Sequence, residues 1–362
     1  MDIMPQTAQG QLASVETSTR NSTVATGRQD SLSIVLRLIS AEMYKVRRRA
    51  MPKLLLIAGM CIITLAFLIL AVNVITDLNT PLQEYGALYP CSHVPPEGRT
   101  PSTGQTCINH PPTRQELVAA QKIKQEVITA ASMPLRLPVS LYTSISVIMI
   151  VGTLLLIILT GTIVGGEYSG GTIRLMSTRG PTRIQFLLSK IGAILICLMI
   201  GFVVILLTGI VAGTLLNLLS GVPTSWNFLN KGEWNYALLY LLAAMFGLFV
   251  YAMLALFLAT LGRTTVAGVT GAIVWVVVEN SLSSVSNVLP TGPVASALKT
   301  ISHYLISNNI SALLQNQTQY FHFTGDSPPT LTNLHAMLVL IGYLVVFITI
   351  SIWVSVRRDI TN

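Results

Sequence analysis

Gly165-Gly166-Glu167-Tyr168-Ser169-Gly170-Gly171-Thr172-Ile173-Arg174 decides how this chain is read, because of what stands on either side of it. An unbroken apolar run from Leu141 to Val164 precedes it, and another begins near Phe186. A glycine-rich, charged turn between two such runs has to leave the bilayer, since unsatisfied backbone polar groups are too costly in hydrocarbon. The basic residues that follow, Arg174, Arg179, Arg183 and Lys190, put the segment on the cytoplasmic side. The expectation is a membrane domain whose polar elbow faces the cell interior, where a partner can push on it.

Composition agrees. The chain is 52% hydrophobic and only 10% charged, whereas a soluble domain carries roughly 25% charged residues. Lipid has to be the solvent over most of its area. Six runs reach the length of about 20 apolar residues that crosses a bilayer: Leu54–Thr76, Leu141–Val164, Ile191–Leu219, Tyr236–Leu261, Val266–Leu289 and Leu334–Val356. The fold class is therefore all-α: a polytopic membrane protein with six transmembrane helices and both termini cytoplasmic. The third run exceeds what a bilayer needs and should tilt or protrude. We found no internal repeat of the kind that marks inverted transporter halves.

The net charge of +8 follows topology and does not point to nucleic acid. Most of the 22 Lys and Arg flank the inner ends of the spans, densest at Arg47-Arg48-Arg49, where anionic lipid adds to their hold. Residues 1–30 are rich in Ser, Thr and Gln without apolar periodicity and read as a disordered cytoplasmic tail. No cleavable signal peptide is expected, because about fifty residues precede the first apolar run. Within residues 31–50, Leu32, Val35, Leu36, Ile39, Met43 and Val46 recur at helical spacing with arginines opposite. This fits an amphipathic helix lying on the inner leaflet; the plainer alternative is an extension of the first span. Residues 51–362 form the transmembrane domain, with extracytoplasmic loops at 77–138 and 290–333.

In the first loop, a Pro-rich part gives way to Thr113-Arg114-Gln115-Glu116, a capping-box pattern. A helix with Leu117, Ala120, Ile123, Val127 and Ala130 on one face follows, and Pro134 ends it. The second loop holds an amphipathic stretch with Leu298, Ile301, Leu305 and Leu313, suited to an interfacial or re-entrant cap. Cys61 and Cys197 fall inside spans and read as packing residues. Cys91 and Cys107 share the outer loop, where a disulfide would staple a segment with little core. With His93 and His110 they also form two pairs of soft ligands, although Cys-x-His is not a common zinc spacing. The disulfide is the preferred reading, and no metal site is assigned.

Glu279 is the one carboxylate deep in a span. An acid exposed to lipid there costs roughly 2.5–3.5 kcal/mol, so it should face the protein interior or a wet cavity. Either it serves as a gate, a substrate contact or a polar clamp between subunits, or it ties two helices together as a protonated or hydrogen-bonded residue. Phosphate-binding, zinc-protease and nucleophile-elbow motifs are all missing from the sequence. The chain is not expected to be an enzyme or to bind ATP by itself.

Taken together, the amphipathic inner helix, the Glu42-x-x-Lys45-x-Arg47 stretch and the Glu167–Arg174 segment resemble the permease subunits of type-2 ABC exporters. The resemblance implies a coupling element in the 165–184 loop that docks on a separate ATP-binding subunit. Glu167, Tyr168, Gly170, Gly171, Thr172 and Arg174 would make that contact. It also implies a second permease copy or a paralogue, no cofactor in this chain (ATP and Mg are held by the partner), and a place in the cell membrane of a prokaryote. The outer loop between the first two spans is larger than many relatives keep. The alternative from another class is a secondary transporter or channel with Glu279 as its proton or cation site.

Overall fold

The computed structural model describes residues 31–85, 111–169, 182–220, 234–288, 292–318 and 331–357. Among these the protein is built from helices: α1 (Ser31–Arg48), α2 (Ala50–Asn79), α3 (Arg114–Ser132), α4 (Val139–Val147), α5 (Thr153–Ser169), α6 (Arg183–Leu219), α7 (Trp234–Gly262), α8 (Thr265–Val288), α9 (Pro293–Ser302), α10 (Ile306–Thr318) and α11 (Asn333–Arg357). Six helical spans are long and apolar enough to cross a membrane: α2, α4 with α5, α6, α7, α8 and α11. The chain is an all-α polytopic membrane protein, as its apolar runs require. Arg47, Arg48, Arg49, Lys53, Arg183, Lys190, Arg263 and Arg357 all fall at one end of these spans, here called the basic side.

The fourth span, α7, is the central helix. Of its most apolar window 56% is buried, against 17–44% in the other five. Val250 to Leu256 are buried without interruption, so every face of the helix is enclosed by protein. Helices α5, α8, α10 and α11 pack around it, while α2 and α1 pack against α6. Where α5 meets α8, small residues allow the backbones to approach. A Cβ at Gly161 would strike Val269, one at Gly165 the backbone of Thr264 and Thr265, and one at Gly268 the side chain of Ala259 in α7. The Gly161/Gly165 spacing of four is the small-residue pattern that packs helices closely in lipid.

This packing corrects the reading of Gly165-Gly166 as a turn. Helix α5 continues through both glycines to Ser169. The missing Cβ at Gly165 serves close packing and not chain reversal. The second span is also interrupted internally, by a π-helical turn at Ile148–Gly152 between α4 and α5.

Helix α1 is separate from the first span. Arg49 adopts an extended conformation between α1 and α2, and Pro52 falls in the first turn of α2, where a missing N–H costs no helical bond. Helix α1 then lies against α6, with Ile39 over Gly192. The long third span starts earlier than its apolar run, at Arg183, behind a Thr182/Gln185 capping box. Arg183 donates to the carbonyls of Ser355 and Val356 at the end of α11, at 3.2 and 3.0 Å.

On the far side, α3 begins with the expected capping box: Glu116 N–H donates to Thr113 Oγ1 at 3.4 Å and Thr113 N–H to Glu116 Oε2 at 2.7 Å. Helices α9 and α10 form a re-entrant pair. Ile306, Asn309, Ile310, Ala312 and Leu313 are buried, and Ile310 fills the space over Gly247 of α7.

Candidate functional site: a buried charge cluster on the basic side

Helix α1 presents Val35, Ile39, Glu42 and Val46 along one side, at spacings of three and four. Three of these are apolar and one is a carboxylate, and Glu42 is buried together with Val46. Nothing apolar could satisfy that group, so a cation has to come from elsewhere. It comes from Lys190, about two turns into α6, whose Nζ lies 2.6 Å from Glu42 Oε2. The same Nζ lies 2.6 Å from Oε1 of Glu167, near the end of α5. Lys45, three residues beyond Glu42, reaches Glu42 Oε1 at 2.9 Å and Glu167 Oε1 at 3.2 Å. Four charges from three helices thus form one neutral cluster.

Burial sets its energetics. Lys190, Glu42 and Glu167 are 2%, 4% and 5% exposed, so each charge has lost most of its water. Lys45 is the cluster's outlet to solvent, with a third of its side chain accessible. Lys190 also lies 5.1 Å from the centre of the Phe186 ring, a cation–π contact. Glu167 stands in the last turn of α5, where the helix dipole disfavours a carboxylate; the two ammonium groups offset that. Such a cluster contributes little net stability compared with apolar packing, but removing one member costs about 3–5 kcal/mol.

On α1, burial alone would raise the Glu42 carboxyl. The Lys190 charge and hydrogen bonds from Lys190 and Lys45 outweigh it and hold the group below its ordinary value. Burial likewise pulls down Lys45, but its hydrogen bond to Glu42 and the charges of Glu167 and Glu42 hold it above. Both groups stay ionised through neutral pH.

The coupling residues expected from sequence divide. Glu167 was expected to offer its charge outward to a partner; the structure turns it inward, because two lysines of its own chain stand within reach. Tyr168 is half-buried against the core. Gly170, Gly171, Thr172 and Arg174 lie outside the described residues, as do Cys91, Cys107, His93 and His110. Cys61 and Cys197 are free thiols. Among the described residues no three His, Cys, Asp or Glu side chains gather as a metal site.

Glu279 belongs to a second, different arrangement. Its carboxylate accepts from Tyr251 Oη of α7 at 3.3 Å and from the backbone N–H of Ser307 at 3.0 Å. The Ile306 N–H and the Trp275 indole also face it. Ile306 and Ser307 open α10, so Glu279 caps that helix, whose first N–H groups have no intrahelical acceptor. It lies nine residues, about 14 Å, from the end of α8 farther from the basic side. Backbone at such depth has to be satisfied by protein, and here it is. The carbonyls of Ser302, His303 and Leu305 accept from Asn308 and Asn309, and that of Tyr304 from Tyr343. The geometry is that of a polar tie between helices.

Sequence reading missed Lys190 and Glu42 as partners. Lys190 was counted only as a charge that fixes topology. The available signal was Glu42 itself, an acid set inside the apolar stripe of α1.

Spans, re-entrant pair and buried cluster together define a six-span helical membrane protein whose basic-side ends are tied by ion pairs. The chain belongs to the family described as "Protein of unknown function (DUF2705)", whose model matches residues 131–361. That match holds Glu167 and Lys190 but not Glu42 and Lys45 of α1. No curated protein and no solved structure matches the chain.

Proposed function

We propose that this chain is the permease subunit of an ATP-driven exporter in the cell membrane, forming the substrate pathway with a second copy or a paralogue. Energy comes from a separate ATP-binding subunit that docks on the segment between α5 and α6 and holds ATP and Mg. One observation carries the reading. Residues 170–181 run between two anchored points, because Glu167 before them and Lys190 after them meet at 2.6 Å. Glu42 joins α1 to the same point. A subunit pressing on this segment therefore pushes at once on the end of the second span, the start of the third and α1. The resemblance of Glu42-x-x-Lys45-x-Arg47 and Glu167–Arg174 to type-2 ABC exporter permeases supports the same assignment. The engagement of Glu279 as the α10 cap weighs against a secondary transporter built around it.

Purification of the tagged protein from its native membrane in mild detergent tests this. A stoichiometric second chain with a phosphate-binding loop and ATPase activity is expected. Arg174→Glu should lose that chain, since it reverses a charge of the coupling segment and leaves the four clustered side chains unaltered. Glu167→Arg is unsuitable as a docking probe, because it would set a third cation against Lys45 and Lys190. A lone protein without ATPase activity, in a detergent that preserves known complexes, would overturn the proposal.

A further inference from the structure

A groove of about 580 Å³ opens between α1, α2, the second span, α6 and α7, a volume in the range of small-molecule sites. Its walls are apolar: Met43 of α1, Leu156 of α5, Gly201 and Ile205 of α6 represent them. Among the described residues its only charged lining groups are two cations, Arg47 and Lys53. Both are exposed, and neither has a carboxylate partner among the described residues. They flank the junction of α1 and α2, on the basic side. The α6 wall runs from Cys197 to Ile205, eight residues or about 12 Å along the helix. The groove thus runs from a cationic mouth at the membrane surface toward the middle of the hydrocarbon layer.

We propose that this groove holds one anionic phospholipid from the basic-side leaflet, with its phosphate on Arg47 and Lys53 and an acyl chain along α6. An apolar slot of that length, open at a charged rim, fits an amphiphile with a single anionic head. The two cations supply the attraction that draws anionic lipid to juxtamembrane basic residues. The extended Arg49 breaks the helix between α1 and α2 beside this mouth. The site does not rest on the exporter reading, because its walls and both cations belong to this chain.

Native mass spectrometry of the full chain in mild detergent, titrated with phosphatidylglycerol and with phosphatidylcholine, tests the site. One phosphatidylglycerol per chain should bind in preference to phosphatidylcholine. Replacing Arg47 and Lys53 together by glutamine should reduce that preference about thirtyfold, or about fivefold for either alone. Gly201→Leu provides an independent variant. A Cβ there meets nothing within 4 Å, so leucine projects into the groove, favours the helix and should displace both lipids. Equal binding of the two lipids, a preference indifferent to the glutamine pair, or bound lipid unchanged by Gly201→Leu would each overturn the proposal. So would retention of a non-lipid hydrophobe from the native membrane in the wild-type groove.

Discussion

The two sets of buried carboxylates in this protein are neutralised by different means. On the basic side, Glu42 and Glu167 face the ammonium groups of Lys45 and Lys190. Toward the opposite side, Glu279 faces a tyrosine hydroxyl and the opening N–H groups of α10. The first arrangement joins helices through charge and would lose heavily if one charge were removed. The second satisfies a helix end sunk in the membrane, and its acceptor atoms matter more than its charge. Charge pairing thus marks the end of the molecule where α5 ends and α6 begins, and neutral capping marks a fixed structural corner.

The sharpest way to separate them is to remove one member of each. Lys190→Met leaves Glu42 and Glu167 buried with Lys45 alone and should cost about 3–5 kcal/mol, read as a loss of thermal stability in detergent. Glu279→Ala removes acceptors from the α10 N-terminus and should cost about 1–3 kcal/mol. Glu279→Gln, which keeps an acceptor oxygen, should recover much of that. If Gln were as damaging as Ala, charge and not capping would be the role of Glu279. Hydrogen exchange at Ile306 and Ser307 locates the effect.

A smaller contrast concerns pH. Because the Glu42 pKa is lowered on folding, its contribution is present above the ordinary carboxylate value and is lost as pH falls through the lowered one. Lys45 is raised, so its contribution is present below the ordinary lysine value and is lost as pH rises through the raised one. Stability should therefore be level through neutrality and fall at both extremes, and Glu42→Gln should flatten the acid limb in melts recorded across pH. The smallest effect is expected at Arg263, whose φ of 53° in the α7–α8 turn is left-handed. Arg263→Gly should gain up to about 1 kcal/mol there, and a fall in melting temperature would refute that reading.

The six spans, the α3 cap and the separate α1 were legible because each rests on local pattern: apolar run length, the Thr113–Glu116 spacing, and the stripe from Val35 to Val46. The cluster was not. Lys45 and Glu167 are 122 positions apart and Glu42 and Lys190 are 148 apart, and no periodicity carries information over that distance. Gly165 misled for a related reason: one residue type serves both turns and close helix packing, and only the neighbouring backbone of Thr264 and Thr265 decides which. Glu279 was correctly placed in the interior, but its partners come from α7 and α10, helices its own span does not predict.

The central claim is that Glu42 and Lys190 act as one buried unit holding α1 to the second and third spans. A double-mutant cycle of Glu42→Gln and Lys190→Met, measured by thermal or denaturant unfolding in a single detergent, tests it most directly. The account predicts that the double variant costs at least about 1 kcal/mol less than the sum of the two single variants, because each single change leaves the other charge stranded. Additive costs would show that the two charges do not depend on each other, and would contradict it.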